Sequence, residues 1–87
     1  MTKQRNVKVT TRSGTSTLQA RTRPDWPKRY QERYGSLDGM PCLFAVTRGK
    51  GHGAIVRYYA HVQVGRDIWS IDTGSDFLPD GAALDFT

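Results

Sequence analysis

The sequence predicts an α+β fold, in which a small antiparallel β-sheet, a meander with or without partial curling, packs against one short amphipathic helix. Three observations predict it. Residues 54–64 alternate between two faces and are rich in β-branched side chains, which is typical of a strand. Asp25, Trp26 and Pro27 have the form of a helix start. Nine glycines and four prolines indicate many turns between short elements.

The N-terminal segment reads as a strand and its return. Residues 6–11 alternate and are partly β-branched, residues 12–15 carry a turn signal, and residues 16–22 form the candidate return strand. Because the return segment has little apolar content, a flexible basic arm over residues 1–22 is the alternative. Both interpretations place these residues in one domain that spans residues 1–87.

The helix is expected to run from Asp25, as its N-cap, to Tyr34, with Gly35 ending it in the left-handed conformation. Residues four apart share one face of a helix. The face predicted to pack on the sheet consists of three aromatic residues: Trp26, Tyr30 and Tyr34. Arg29 and Arg33 form a parallel stripe that is expected to face solvent.

The remaining strands are predicted over residues 42–47, 54–64 and 68–72, with a final edge strand over 83–86. A glycine-rich basic loop, residues 48–53, joins the first two as a hairpin tip. The buried face of the strand over 54–64 is predicted to consist of alternate residues: Val56, Tyr58, Ala60, Val62 and Val64.

The cysteine content and the hydropathy of the chain indicate the compartment in which the protein is expected. Cys42 is the single cysteine, which excludes an internal disulfide and a cysteine-based zinc site and favours a reducing, cytoplasmic setting. The first residues are polar, with no apolar core after them, so a signal peptide is not expected. No stretch reaches the roughly 18 apolar residues that span a bilayer. We therefore expect a cytoplasmic protein with no membrane partner, no cofactor and no metal.

Charge is distributed unevenly along the chain. Residues 1–33 hold nine basic and two acidic residues, residues 34–66 hold four and one, and residues 67–87 hold five aspartates and no base. Such asymmetry indicates a polyanionic partner for the basic half. The alternative is that the acidic tail folds back and neutralises the basic half.

The basic residues of the predicted helix, the glycine-rich loop and the best strand could lie along one rim. The predicted binding residues are therefore Arg29, Arg33, Arg48, Lys50 and Arg57. Aromatics interleaved with arginines can stack on bases while guanidinium groups contact phosphates. Because a thin core needs the aromatics, we assign those to packing and leave the arginines to the partner.

Cys42, His61 and Asp72 occur in the nucleophile–base–orienter order of papain-like and transglutaminase-like enzymes. Those folds place the nucleophile at a helix start, where the dipole lowers its pKa. Here Cys42 opens a strand, which favours a core cysteine and a surface histidine. A small cysteine hydrolase is kept as an alternative.

Three short motifs resemble the C-terminal end of calcineurin-like metallophosphatases: Gly51-His52, Ile71-Asp72-Thr73-Gly74 and Ala83-Leu84-Asp85-Phe86. The resemblance covers only about the last 35 residues and implies that His52 matches a metal ligand of that family. The other metal-binding motifs of the family are missing, and one histidine cannot hold two metals. The resemblance therefore implies a non-catalytic binding remnant.

Together these observations predict a small, non-enzymatic binding protein that engages its partner through a basic surface. We expect an inhibitor or accessory protein of the kind that phages and mobile elements encode, acting on a nucleic acid or a nucleoprotein complex. An inhibitor that binds a protein through either charged face is the close alternative, since neither needs a pocket.

Overall fold

The computed structural model describes residues 3–22, 31–48 and 55–86. These residues form seven strands and no helix. The strands are β1 (Gln4–Thr11), β2 (Gly14–Thr22), β3 (Gln31–Leu37), β4 (Met40–Arg48), β5 (Ile55–Val64), β6 (Asp67–Gly74) and β7 (Ala83–Phe86).

The strands form one curled antiparallel sheet in the order β3-β4-β5-β6-β2-β1-β7. The middle of the chain is a meander, because β3, β4, β5 and β6 pair in sequence order. β2 then joins β6 with Ala20 opposite Ile71, which carries the β1–β2 hairpin into the same sheet. β7 forms the predicted edge strand beside β1.

The predicted helix is wrong at its C-terminal end, and the predicted α+β fold class is therefore wrong as well. Residues 31–34 belong to β3, and Tyr34 is 78% exposed rather than packed on the sheet. Residues 25–30, including Trp26 and Tyr30, lie outside the described residues. Pairing with β4 explains the difference, since β3 gains a full ladder of hydrogen bonds from Gln31 to Leu37.

A tight turn sets the register of that pairing. Asp38 and Gly39 join Leu37 to Met40, and both have positive φ, 50° and 73°. Two consecutive positive φ angles define the type I′ turn, for which Asp-Gly is a preferred sequence. The sequence patterns predict no strand between Gly35 and residue 42, so the hairpin was missed.

The core lies on the concave face of the curled sheet. Its fully buried side chains come from six strands and include Val7, Val9, Ala20, Leu37, Phe44, Ala60, Val62 and Ile71. The predicted inner face of β5 is confirmed at Ala60 and Val62, whereas Val64 is 38% exposed near the strand end. The side chain of Val56 lies outside the described residues.

The segment before β7 closes the open side of the curl. Asp38 donates its N–H to the carbonyl of Ala82 at 2.7 Å, and Gly81 donates to the carbonyl of Ser36 at 2.8 Å. These bonds connect the β3 edge to the segment that leads into β7. Phe77 from the same segment packs edge-on against Phe44, with ring centroids 5.2 Å apart.

Candidate binding surface on the outer face of the sheet

Strand alternation turns a polar face outward from β1 and β2. In register, Lys8 lies opposite Thr17, Asn6 opposite Gln19 and Gln4 opposite Arg21. Gln4 donates its amide to the side-chain oxygen of Gln19 at 3.2 Å, which places these two side chains on one face. Residues 4–22 contain four basic residues and no acidic one.

A cleft of about 230 Å³ opens where this face meets β5 and β6. It is lined by Gln19, Arg21, Arg57, Tyr59, Ser70 and Asp72. A shallower depression of about 310 Å³ shares Gln19, Arg57 and Asp72 with the cleft and extends to Thr17, the partner of Lys8 in β1. Lys8 of β1, Arg21 of β2 and Arg57 of β5 therefore lie on the same face of the sheet, whereas Arg5 of β1 lies on the inner face over the Trp69 and Phe86 rings. We call Lys8, Arg21 and Arg57, with the cleft among them, the outer basic face.

Asp72 is the acidic group inside the cleft. Its Oδ2 lies 3.3 Å from Nε of Arg57, and its Oδ1 accepts the N–H of Gly74 at 3.0 Å. The pair orients the Arg57 guanidinium, whose side chain is 56% exposed. The cleft thus combines cationic donors with one carboxylate acceptor.

Ser70 forms part of the cleft lining and is 5% exposed. Its hydroxyl is buried and has no hydrogen-bond partner among the described residues. A buried polar group without a partner costs roughly 1–3 kcal/mol, so such groups in folded proteins call for an explanation. Ser70 therefore leaves a buried hydroxyl without a partner in the wall of the cleft.

Much of the acidic tail is paired with basic residues from earlier in the chain. Three ion pairs join them: Lys3 with Asp67 at 3.3 Å, Arg57 with Asp72 at 3.3 Å and Arg33 with Asp80 at 4.0 Å. Asp85 lies opposite Lys8 in the β1–β7 register. Folding back of the tail therefore occurs, but within the described ranges Arg21 forms no ion pair and stays exposed.

The two described arginines of the predicted rim lie on opposite faces of the sheet. Arg33 is on the inner side, with its guanidinium carbon 4.5 Å and 4.6 Å from the ring centroids of Phe44 and Phe77. Arg57 is on the outer side, in the cleft. Arg29 and Lys50 lie outside the described residues. Arg48 ends β4, and its side chain is likewise not described.

Arg21 was missed as a candidate. The alternation of β2 predicts that Arg21 points to the outer face, because its neighbour Ala20 points to the core. Its position beside Ser70 depends on the β2–β6 pairing, which joins strands that are far apart in sequence. No local signal predicts that neighbour.

Cys42, His61 and Asp72 do not form the arrangement of a nucleophile and its base. Cys42 shares the inner face with Val62, its partner in β5, whereas His61 and Asp72 follow the alternation to the outer face. Burial raises the pKa of the Cys42 thiol to about 12, although a hydrogen bond with the backbone of His61 and the charge of Arg33 oppose the shift. His61 is itself 3% exposed, contrary to the predicted surface histidine.

We expect Cys42 to be inert toward thiol reagents in the folded protein. At pH 7 to 9 a thiol with a pKa of about 12 is almost entirely protonated, and it is also 3% exposed. Reaction with a disulfide reagent should therefore be slow until denaturant unfolds the chain. Rapid reaction of the native protein would contradict this prediction.

The same shift predicts a pH dependence of stability. The folded state holds the thiol proton more tightly than the unfolded state, so stability is fully present below pH 9.0 and falls as the pH rises toward 12. Cys42→Ala should cost about 1 kcal/mol at pH 7 and should lose that alkaline decline. Denaturant titrations of both proteins at several pH values give the difference between their free energies of unfolding. Other titrating groups are common to both proteins, so their contributions cancel in this difference.

Within residues 3–22, 31–48 and 55–86, no three His, Cys, Asp or Glu side chains are grouped so as to hold a metal ion. His52 lies outside these ranges. The motifs at 71–74 and 83–86 lie on β6 and β7, with β2 and β1 between them. No helix in the described part of the chain has the length and apolar character needed to cross a membrane.

Comparison with known proteins gives no relative. No protein-family model matches the chain, and neither a curated protein nor a solved structure matches it. Its function therefore has to be argued from the surface described above.

Proposed function

We propose that this protein is a non-enzymatic nucleic-acid-binding protein that contacts phosphates through the outer basic face. The observation that supports the proposal most directly is Arg21, an exposed cation with no ion pair in the described part of the chain, on a face of β1 and β2 without acidic residues. Such a protein would act in the cytoplasm as an inhibitor or accessory factor of a nucleic acid or nucleoprotein complex, as small phage-encoded proteins do.

The chemistry of the surrounding side chains fits phosphate and sugar contacts. Asn6, Gln19 and Thr17 lie on the same face as Lys8 and Arg21. Arginine, lysine, amide and hydroxyl side chains supply the bulk of side-chain hydrogen bonds to nucleic-acid backbones. A single exposed cation indicates no more than a solvated surface. Cations, amides and hydroxyls together on one face of a rigid sheet form a surface that can contact a nucleic-acid backbone.

A charge-reversal pair tests the proposal. Lys8→Glu combined with Arg21→Glu should leave thermal stability nearly unchanged, because exposed charges contribute little to folding. It should weaken nucleic-acid binding at least about tenfold, as two phosphate contacts are lost and repulsion replaces them. Fluorescence anisotropy with a labelled oligonucleotide measures the affinity.

The matched control carries the same change in net charge at another place. Arg12→Glu with Arg66→Glu alters two exposed cations in the β1–β2 and β5–β6 turns and should weaken binding much less. For the wild type, the logarithm of affinity should fall linearly with the logarithm of salt concentration. A salt-independent affinity, or equal losses in both double variants, would contradict phosphate contact by this face.

A further inference from the structure

We infer that the cleft in the outer basic face receives one unpaired nucleobase, so that the bound nucleic acid is single-stranded at this position. The inference rests on the proposed function and adds a ligand class and a site to it. Its residues come from three strands that pairing brings side by side: Gln19 and Arg21 from β2, Arg57 and Tyr59 from β5, and Ser70 and Asp72 from β6.

The mixed charge of the cleft favours a base over a phosphate as its ligand. A phosphate entering the cleft would meet the Asp72 carboxylate, which repels it. A base edge instead offers ring or exocyclic N–H donors to a carboxylate and carbonyl or ring-nitrogen acceptors to arginines. Arg57 and Asp72, the ion pair inside the cleft, therefore match the edge of a base, while Lys8 and Arg21 bind the phosphates.

Tyr59 supplies an aromatic surface in the same cleft. It is half-buried and lines the cleft next to Asp72, its cross-strand partner. Bases stack on aromatic side chains without regard to sequence, because every base has a π-face. Exposed antiparallel sheets that carry aromatics are an established way to hold unpaired bases.

Ser70 gives an independent reason to place a polar ligand here. Its buried hydroxyl has no hydrogen-bond partner among the described residues, and it lines the cleft. A hydroxyl both donates and accepts, so a base edge can satisfy it in either sense. Binding would then remove the cost of the unpaired group.

Size favours a base over a larger ligand. The cleft of about 230 Å³ lies below the ~300–1,000 Å³ that enclose drug-sized molecules. It equals the volume of roughly seven or eight waters at ~30 Å³ each. A duplex keeps its bases stacked inside and would have to flip one out to fill the cleft.

The test compares two single strands of about ten nucleotides, within the range that one small β-domain covers. One is oligothymidylate; the other has the same phosphates and sugars but abasic positions throughout. We expect the wild type to bind oligothymidylate at least about fivefold more tightly than the abasic strand, measured by anisotropy at one salt concentration. Tyr59→Ala should lose roughly 5- to 100-fold on oligothymidylate and little on the abasic strand.

Tyr34→Ala is the control, since Tyr34 is an exposed tyrosine of β3 outside the cleft. It should leave both affinities unchanged. Melting curves establish that each variant is folded; if Tyr59→Ala is not, Tyr59→Leu, which keeps most of the apolar volume but has no π-face, should show the same selective loss.

The contrary results are distinguishable. Equal affinity for the two strands, or an equal loss in the Tyr34→Ala and Tyr59→Ala proteins, would overturn the base site and leave phosphate binding by the outer basic face intact. Absence of binding to both strands and to a duplex of the same length at low salt would overturn the proposed function together with the base site. Binding to the duplex alone would overturn only the base site.

Discussion

Val62→Asp is expected to abolish folding. Val62 is fully buried in β5, where it lies between Cys42 of β4 and Trp69 of β6. A carboxylate at this position would have no basic partner on the neighbouring strands. Burying an unpaired charge costs many kcal/mol, whereas a domain of this size is stable by about 5–15 kcal/mol in total.

Circular dichroism and thermal melting test this result, with Gln63→Asp as the control. Gln63 follows Val62 in the same strand but points outward and is exposed, so its substitution should change stability by less than about 0.5 kcal/mol. A cooperative melting transition for Val62→Asp near the wild-type temperature would mean that the two faces of β5 are assigned in reverse.

Phe44→Ala is expected to lower the free energy of unfolding by about 3–5 kcal/mol. Phe44 is fully buried and is among the largest fully buried side chains in the described core. It contacts Phe77 edge-on at 5.2 Å and lies 4.5 Å beneath the Arg33 guanidinium. Its removal would leave a cavity at the point where the segment before β7 closes the curl.

Tyr34→Ala is the matched comparison for this loss. Tyr34 is an aromatic residue of the adjacent strand, but it is 78% exposed and should cost less than about 0.5 kcal/mol. Denaturant titrations give both values. Similar losses for the two substitutions would show that Phe44 does not anchor the closure.

The contact of Arg33 with Phe44 gives this arginine a structural role. The sequence analysis expects Arg33 to face solvent as part of a stripe on the helix. In the sheet its guanidinium lies between two aromatic rings and 4.0 Å from Asp80. Arg33→Ala should therefore cost about 0.5–1 kcal/mol, the usual size of an exposed cation–π interaction. The same loss measured in a Phe44→Ala background should be smaller, since the aromatic partner is gone.

The charge asymmetry of the sequence has two consequences in the structure. Part of the acidic tail pairs with earlier basic residues, as the ion pair of Lys3 with Asp67 shows. Because 13 basic residues face 8 acidic ones, pairing within the chain leaves a net charge of +5. The cations that stay unpaired, Arg21 above all, are the ones to which we assign nucleic-acid binding.

Local sequence patterns by themselves predicted most of the strands and several of the side chains that point into the core. The period of two predicts the inner positions Ala60 and Val62, since side chains on a strand must alternate. The inward direction of Cys42 followed from the same rule. A final edge strand over residues 83–86 was also predicted, and β7 lies at the edge of the sheet.

Only the tertiary structure decided the helix, the topology and the cleft. The spacing of Trp26, Tyr30 and Tyr34 suits a helix, but the ladder with β4 and the Asp38–Gly39 turn make residues 31–34 a strand. The contact of Arg21 with the β6 surface requires β2 to pair with a strand about fifty residues later in the chain. Turn chemistry and alternation act over a few residues, whereas such pairing is chosen by burial of the whole core, which no local pattern records.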